Sequence, residues 1–534
     1  MATRQFDYVV VGAGSSGCVL ANRLSADPGT SVLLLEAGGT DAHPCIAIPK
    51  GVAFILGKPD YAWYYRTEPF GPYGQSETWL RGKVVGGSSS VNGMVYNRGS
   101  RADFDGVEAQ GNPGWGWDQM LRVYRAMENH SLGSSGLRGS GGPLSVSVRT
   151  DTEAVDELLI ESAARLGMER TLDLNSSDEE RIGYAPATIH RRRRMSAARA
   201  FLRPVRKRPQ LTLRTGVQVT RVLFEGDRAC GVEALVDGSR VTVSARREVI
   251  LSSGSIATPQ LLELSGIGAP DVLKDAGVDV RVASPRVGEG VREHRCVPLQ
   301  VRLAKNIGYN RLLSSRAGQG LSGARWMLTG RGPVGTPAYD MLAFTKTRPE
   351  LDRPDAQFLL TPYTMGVAAG GYGVENRPGF SLLGFTLRPT SEGSVHIRSA
   401  DVRKPPRIVP NYFSTAYDRD TSVALFRRMR ALVEQSPIAD LVSTEIIPGR
   451  MVEDDEEILR AGFFHGGTGY HASGSVGMGP TDEYPVDPRL RVRGVEGLRV
   501  VDVSVFPAMV SGNLNAPAMA AAWRAAEYIR EDNS

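Results

Sequence analysis

Tyr8-Val9-Val10-Val11-Gly12-Ala13-Gly14-Ser15-Ser16-Gly17-Cys18-Val19-Leu20-Ala21-Asn22-Arg23-Leu24 decides the fold. The β-branched run predicts a buried parallel strand, the glycines a tight loop, and the residues from Val19 a helix. Gly12 permits the turn, Gly14 lets the backbone approach a pyrophosphate, and Gly17 lets the helix pack on the strand. The helix start at Ser15 and Ser16 presents unpaired N–H groups to an anion. A second apolar run, Val32-Leu33-Leu34-Leu35, ends in Glu36-Ala37, with Glu36 19 residues after Gly17. A carboxylate at the tip of a second strand is where an adenosine ribose needs an acceptor for its hydroxyls. An isolated GxGxxG is a weak signal, but strand, spacing and acid together predict a Rossmann-like dinucleotide domain. Glu36 also argues against a 2′-phosphorylated cofactor, because two anions would face each other at close range. The motif leaves FAD and NAD both open.

Composition bounds the rest. The chain has 534 residues, 41% apolar and 23% charged, so it is globular, and its 61 glycines without repeats suggest loops with unusual backbone angles. A net charge of +5, with Arg191 to Arg194 the only basic run, predicts no nucleic-acid partner. The four cysteines at 18, 45, 230 and 296 form no CxxC, so no metal site or disulfide framework is expected and a reducing compartment fits. No secretory segment and no long apolar run is visible, so a soluble, cytoplasmic protein without a membrane span is the expectation. The oligomeric state has no signature.

A second glycine cluster separates the cofactors. Gly82-Lys83-Val84-Val85-Gly86-Gly87-Ser88-Ser89-Ser90-Val91-Asn92-Gly93-Met94-Val95 and Gly254-Ser255-Ile256-Ala257-Thr258-Pro259-Gln260-Leu261-Leu262 resemble the two signatures of the glucose-methanol-choline (GMC) oxidoreductases, a family of FAD enzymes. The likeness continues at Val287-Gly288 through Glu293-His294, at Pro410-Asn411-Tyr412, and from Tyr470-His471 through Asp502 to Gly512-Asn513. One departure is Gly290-Val291-Arg292-Glu293-His294, where the family usually has Asn-Leu-x-Asp-His.

The resemblance implies FAD contacts at Gly12, Gly14, Ser15, Ser16, Gly17, Glu36, Ala37, Val84, Gly87, Ser88, Asn92, Gly93, Val95, Val219, Asp502, Asn513 and Asn515. Gly86, Gly87 and the three serines offer consecutive N–H groups and short hydroxyls to a flavin edge or phosphate. Some members attach FAD through a histidine at the position of Val91, so non-covalent FAD is expected here.

The chain has seven histidines, each bland by default, and His465 reads as a surface one. His471 stands out because it precedes the small residues Ala472-Ser473-Gly474-Ser475, which would leave space for a ligand, and because it matches the family's active-site histidine. Asn513 matches the second catalytic position. The implied reaction is oxidation of an alcohol, primary alcohols favoured, to an aldehyde or ketone by hydride transfer to flavin, with His471 as base and oxygen or a quinone or dye as acceptor. A lyase that keeps FAD without redox turnover, hydroxynitrile-lyase-like, or a flavin photodecarboxylase stays open as the alternative. Asn515-Ala516-Pro517 predicts a helix start whose dipole would favour a reduced flavin anion.

The fold expected is α/β, a Rossmann-like FAD-binding domain with a second α+β substrate domain built on an antiparallel sheet. The first takes residues 1–147, 200–295 and 464–534, and the second 148–199 and 296–463. Strands are expected at Leu211 to Thr215 and Val217 to Phe224, and in the second sheet at Gly393 to Arg398. The arginine run reads as a solvated face, with attraction of an anionic substrate the alternative, and Tyr61, Trp63, Tyr64 and Tyr65 as packing or an aromatic entrance. Nothing in the sequence fixes the alcohol.

Overall fold

The computed structural model describes residues 5–368 and 371–533, organised by two large sheets. In the first, Gln5–Val11 runs parallel between Val32–Leu35 and Ser239–Leu251, with Leu211–Arg214 parallel beyond Val32–Leu35. Leu498–Val500 joins in parallel at Val249 to Leu251. Ser239–Leu251 is long enough to continue as an antiparallel meander with Arg228–Val236 and Val217–Glu225. The central strands are buried from Phe6 to Val11 and from Val32 to Leu35, as the apolar runs Tyr8 to Val11 and Val32 to Leu35 must be when both faces are covered.

The expected helix forms over Ser15–Leu24 and packs against the C-terminal helix Asn515–Asp532, whose alanines allow close approach. Gly17 has the packing role its position suggests: a Cβ there would lie 1.9 Å from the Gly12 carbonyl oxygen. Any side chain would push the helix off the strand.

The second sheet is ordered Val442–Ile447, Arg295–Leu303, Gly379–Thr386, Ala356–Thr361, Met341–Thr345, Arg181–Tyr184 and Glu169–Arg170, antiparallel except for the last pair. It carries its own core with the helices Ala154–Arg165 and Ala416–Val433. The strand expected near Gly393 exists as Ser394–His396, but it pairs with Arg407–Val409 in a separate two-stranded ribbon and not in the large sheet. Val395 N–H donates to the Gly288 carbonyl and the His396 ring lies between Glu263 and Glu289, so the ribbon is fastened beside the helix Gly254–Leu264.

One short pairing positions the chemistry. Gly467–Thr468 adds to Arg295–Leu303 with Thr468 opposite Arg295, and Gly469 N–H donates to the His294 carbonyl. That register brings the segments carrying His294 and His471 side by side. Among the described residues no helix is long and apolar enough to cross a membrane.

Candidate active site

A cavity of about 780 Å³ runs along the strand ends of the first sheet and under the second. Gly12, Gly14, Ser15, Ser16, Glu36, Ala37 and Val219 line it, as do Gly87, Ser88, Asn92, Gly93, Val95, Asp502, Asn515 and the pair His471 and Asn513. Two expected residues do not: Gly17 lies in the helix–strand contact, and the Val84 side chain is buried with Ile46, Val52, Ile55 and Val91.

The glycine loop fits a phosphate. The helix Ser15–Leu24 starts without a side-chain cap, so its first N–H groups remain available to an anion. A Cβ on Gly14 would meet no protein atom nearer than 4.0 Å, so cavity space and not protein packing asks for glycine there. Glu36 accepts from Ala13 N–H at 3.0 Å and Gly38 N–H at 2.8 Å, which holds the loop and the strand tip together. Burial pushes its carboxyl up to about 7 against those two bonds.

The serine turn is used differently from expectation. Ser89 and Ser90 hydroxyls donate back to the carbonyls of Gly86 and Val85, so they shape the turn and only Gly87 and Ser88 of it reach the cavity. Arg191, Arg192 and Arg193 are exposed as expected, but Arg194 is not a solvated residue. It is 1% exposed and donates to the carbonyls of Ile46, Pro49, Ser89 and Asn92 and to the Asn92 side-chain oxygen. Its guanidinium fork replaces missing backbone partners beneath the turn, which explains a buried charge without a carboxylate. Asn92 Oδ1 also accepts from Met94 N–H, at 3.0 Å.

Asp502 turns its carboxylate toward protein donors: Gly254 N–H at 2.8 Å, the Thr258 hydroxyl at 2.6 Å and Ser504 N–H at 2.8 Å. It ties the start of the helix Gly254–Leu264 to the end of the strand Leu498–Val500. Ser15 donates its hydroxyl to Asn515 Oδ1 at 2.7 Å, joining the starts of the first and last helices across the cavity. The last helix also begins without a side-chain cap.

At the other end, His471 Nε2 lies 3.0 Å from Asn513 Nδ2, and its Nδ1 lies 2.9 Å from His294 Nδ1. His294 Nε2 lies 2.9 Å from the Leu387 carbonyl, which can only accept. His294 therefore carries its proton on Nε2 and accepts at Nδ1, and His471 carries its proton on Nδ1. The His471 Nε2 lone pair faces Asn513 and the cavity. Gln357 Nε2, 3.4 Å from Asn513 Oδ1, sets the amide so that its NH₂ points to the imidazole. Burial lowers both imidazoles, His294 to about 4 and His471 well below the usual histidine value, where repulsion from any proton on the His294 ring and from the Arg81 charge adds to it. Both are neutral at physiological pH.

Glu293 and His294 carry this arrangement, and the sequence reading assigned neither a role. Glu293 accepts from the N–H groups of His471, Ala472 and His294 at 2.7, 2.8 and 2.9 Å, so the longer carboxylate in place of Asp fastens the histidine segment. The small residues after His471 do not open space for a ligand: of them only Ala472 reaches the cavity, while Ser473 pairs with Arg292 and a Cβ on Gly474 would lie 2.7 Å from the Gly290 carbonyl. Their smallness permits close backbone packing. His465 is exposed, as read. Trp63, Tyr64 and Tyr65 line the cavity, whereas Tyr61 packs against the Ile46 and Val52 cluster.

GMC oxidoreductase sequences match the chain over residues 6–296 and again over 389–522. The oxygen-dependent choline dehydrogenase of Sinorhizobium fredii is 38% identical over 529 residues, 98% of this chain and 95% of that one. Among solved structures, pyridoxine 4-oxidase from Mesorbium loti superposes with a TM-score of 0.88 at 30% identity over 99% of both chains. A fungal aryl-alcohol oxidase does so with a TM-score of 0.85 at 25% identity, again over 99% of both. With the paired sheets, the cavity and matches along nearly its whole length, the chain belongs to the GMC oxidoreductase family and acts on CH–OH groups.

Proposed function

We propose that the protein oxidises an alcohol, a primary one, to the carbonyl compound, with His471 as the base and Asn513 as the group that holds the substrate oxygen. The observation that carries this reading is the fixed tautomer of His471, whose unprotonated Nε2 lies 3.0 Å from Asn513 Nδ2 beside the cavity. An alcohol oxygen seated against both nitrogens, in place of their mutual hydrogen bond, can give its proton to Nε2 and accept a hydrogen bond from Nδ2. A base is needed because an alkoxide releases hydride far more readily than a neutral alcohol.

FAD is the family's cofactor, and the residues present fit it: the uncapped helix start and Gly14 for the pyrophosphate, Glu36 for the ribose, and Gly87, Ser88, Asn92 and Gly93 for the ring system. When bound, it supplies the hydride acceptor. The uncapped start of Asn515–Asp532 places the positive end of a helix dipole at the same cavity, which favours negative charge there. Val91 offers no side chain for a covalent link and is buried in an apolar cluster, so FAD is held non-covalently. Flavin remaining with acid-precipitated protein would refute that.

Residues 1–147, 200–295 and 464–534 are assigned to the FAD domain and 148–199 and 296–463 to the substrate domain; the strands of the two sheets divide in nearly this way. The electron acceptor is oxygen or a quinone. The test is anaerobic mixing of the holoenzyme with a panel of primary alcohols. Bleaching of the flavin is expected, and its absence with every alcohol would favour the lyase reading. His471→Ala should slow bleaching by orders of magnitude with FAD retained, and Asn513→Ala by roughly ten- to a hundredfold, the loss of one hydrogen bond to the reacting oxygen.

A further inference from the structure

The wall beside the histidine pair is apolar. The His294 ring stacks on Phe385 at 4.4 Å between centroids, and Phe385 meets His471 edge-on at 5.8 Å. Phe385 belongs to one buried cluster with Val95, Cys296 and Leu359, against which Tyr339 and Leu383 pack, and all of these but Phe385 line the cavity.

Among the described residues no carboxylate lining the cavity is free to meet a cation. Among the described residues the only carboxylates are Glu36 and Asp502, and both are turned to backbone N–H groups of the cofactor half. Lys50, Arg81, Lys83 and Arg403 also line it, Lys50 paired with Asp340 at 3.3 Å, Arg81 3.7 Å from Glu293 and Arg403 paired with Asp401 at 2.8 Å, so the carboxylates behind the wall already have partners. Glu293, which could have offered a third carboxylate near His471, accepts from three backbone N–H groups, faces Arg81 at 3.7 Å and does not reach the cavity.

Aromatic faces are the other means of holding a cation, and two of them already have one. Lys83 Nζ sits 4.4 Å from the centre of the Trp63 ring and Lys50 Nζ 5.3 Å from that of Tyr363. A second cation brought to either ring would meet like charge, and at the remaining lining rings, Tyr64, Tyr65, Tyr339 and Tyr470, it would be buried with ring faces alone and no carboxylate to neutralise it.

We propose that this site selects an uncharged, largely apolar alcohol, alkyl or aryl carbinols, and rejects alcohols that carry a fixed positive charge, although its curated relatives include choline dehydrogenases. The proposal rests on the alcohol-oxidation reading of the same site. An uncharged carbinol seats its hydroxyl against both His471 and Asn513 and its body against Leu359, Leu383 and Tyr339, at no cost in buried charge.

Choline and 3,3-dimethylbutan-1-ol form the decisive pair, since they have nearly the same shape and differ by the charge of one atom. Rapid anaerobic mixing of each with the holoenzyme gives a dissociation constant and a limiting rate of flavin reduction. The expected result is tighter binding of the neutral alcohol, by tenfold or more, with faster reduction at equal concentration. A preference for choline, or none, overturns the proposal while leaving alcohol oxidation intact. If neither alcohol bleaches the flavin, the oxidation reading fails, and the ratio of dissociation constants, read from the absorbance of the oxidised flavin, still decides the charge preference.

Discussion

His294 Nδ1 and His471 Nδ1 face each other at 2.9 Å, and only one of them can carry the proton between them. The Leu387 carbonyl at His294 Nε2 decides which: it requires a donor, so His294 accepts and His471 donates. His294 is thus a positioning residue that keeps the His471 Nε2 lone pair toward the substrate. His294→Phe keeps a flat apolar ring against Phe385 but offers no acceptor, so His471 can place its proton on either nitrogen. The rate of flavin reduction should fall roughly a hundredfold, less than the roughly ten-thousandfold cost of a wholly wrong tautomer because part of the His471 population keeps the working one, with FAD content unchanged. His294→Asn, which restores an acceptor oxygen, should recover part of the loss. Equal rates in the two variants would reduce His294 to a packing residue.

The same burial sets a pH dependence. The imidazole acts in its neutral form, and burial lowers the protonation of His471 well below that of a free histidine. The working form is therefore present above the lowered value and is lost only as pH falls through it. The rate of flavin reduction by a non-ionising alcohol should stay level from pH 8 through about 6.5, the ordinary histidine value, and decline only well below it. An acid limb centred above 7 would mean that His471 is not the group titrating, or that the bound state solvates it.

The cofactor half was legible because its signals are local: the strand, glycines and acid of residues 8–36 and the glycine–serine turn are contiguous words with fixed geometry. Asn513 was found through family likeness alone, and His471 through likeness together with a run of small residues that turned out to serve backbone packing and not ligand space. What supports them was not legible, since His294 becomes important only by the register that sets Thr468 opposite Arg295, a contact across more than 170 residues. Arg194 shows the opposite failure. Four arginines in a row read as solvent-facing, yet the positive φ of Arg191 and Arg192 turns the chain so that the fourth points inward. A composition run carries no information about which of its members the backbone buries.

Arg194 yields a stability prediction. Arg194→Met would fill part of the volume but leave the carbonyls of Ile46, Pro49, Ser89 and Asn92 without their donor. Each buried carbonyl so stranded costs about 1–3 kcal/mol, so the loss should be several kcal/mol or outright failure to accumulate. Arg194→Lys keeps the charge but cannot span the same acceptors with a single ammonium, and should fold with a lowered Tm and weakened FAD retention. If Lys matched the wild type in both, the charge alone would matter and the planar fork would not.

His396 gives a separate test of the fold in alkaline solution. Its two ring nitrogens lie 2.7 Å from Glu263 and 2.8 Å from Glu289. Burial opposes the charged ring, but the two carboxylates outweigh it and hold the histidine up at about 9. A group raised in the folded state stabilises fully below its unfolded value of about 6.5 and loses that contribution as pH climbs through the folded one. The clamp should therefore weaken between about pH 6.5 and 9, by about 2 kcal/mol once the half-exposed Glu289 is discounted for screening. His396→Gln can still hydrogen-bond Glu263 without the charge, so its Tm should lie below that of the wild type at pH 6 and converge on it by pH 9.5. Scanning calorimetry of the two proteins across that range measures the gap directly. A gap that stays constant with pH would show that His396 is neutral in the folded protein and that Glu263 carries the shared proton.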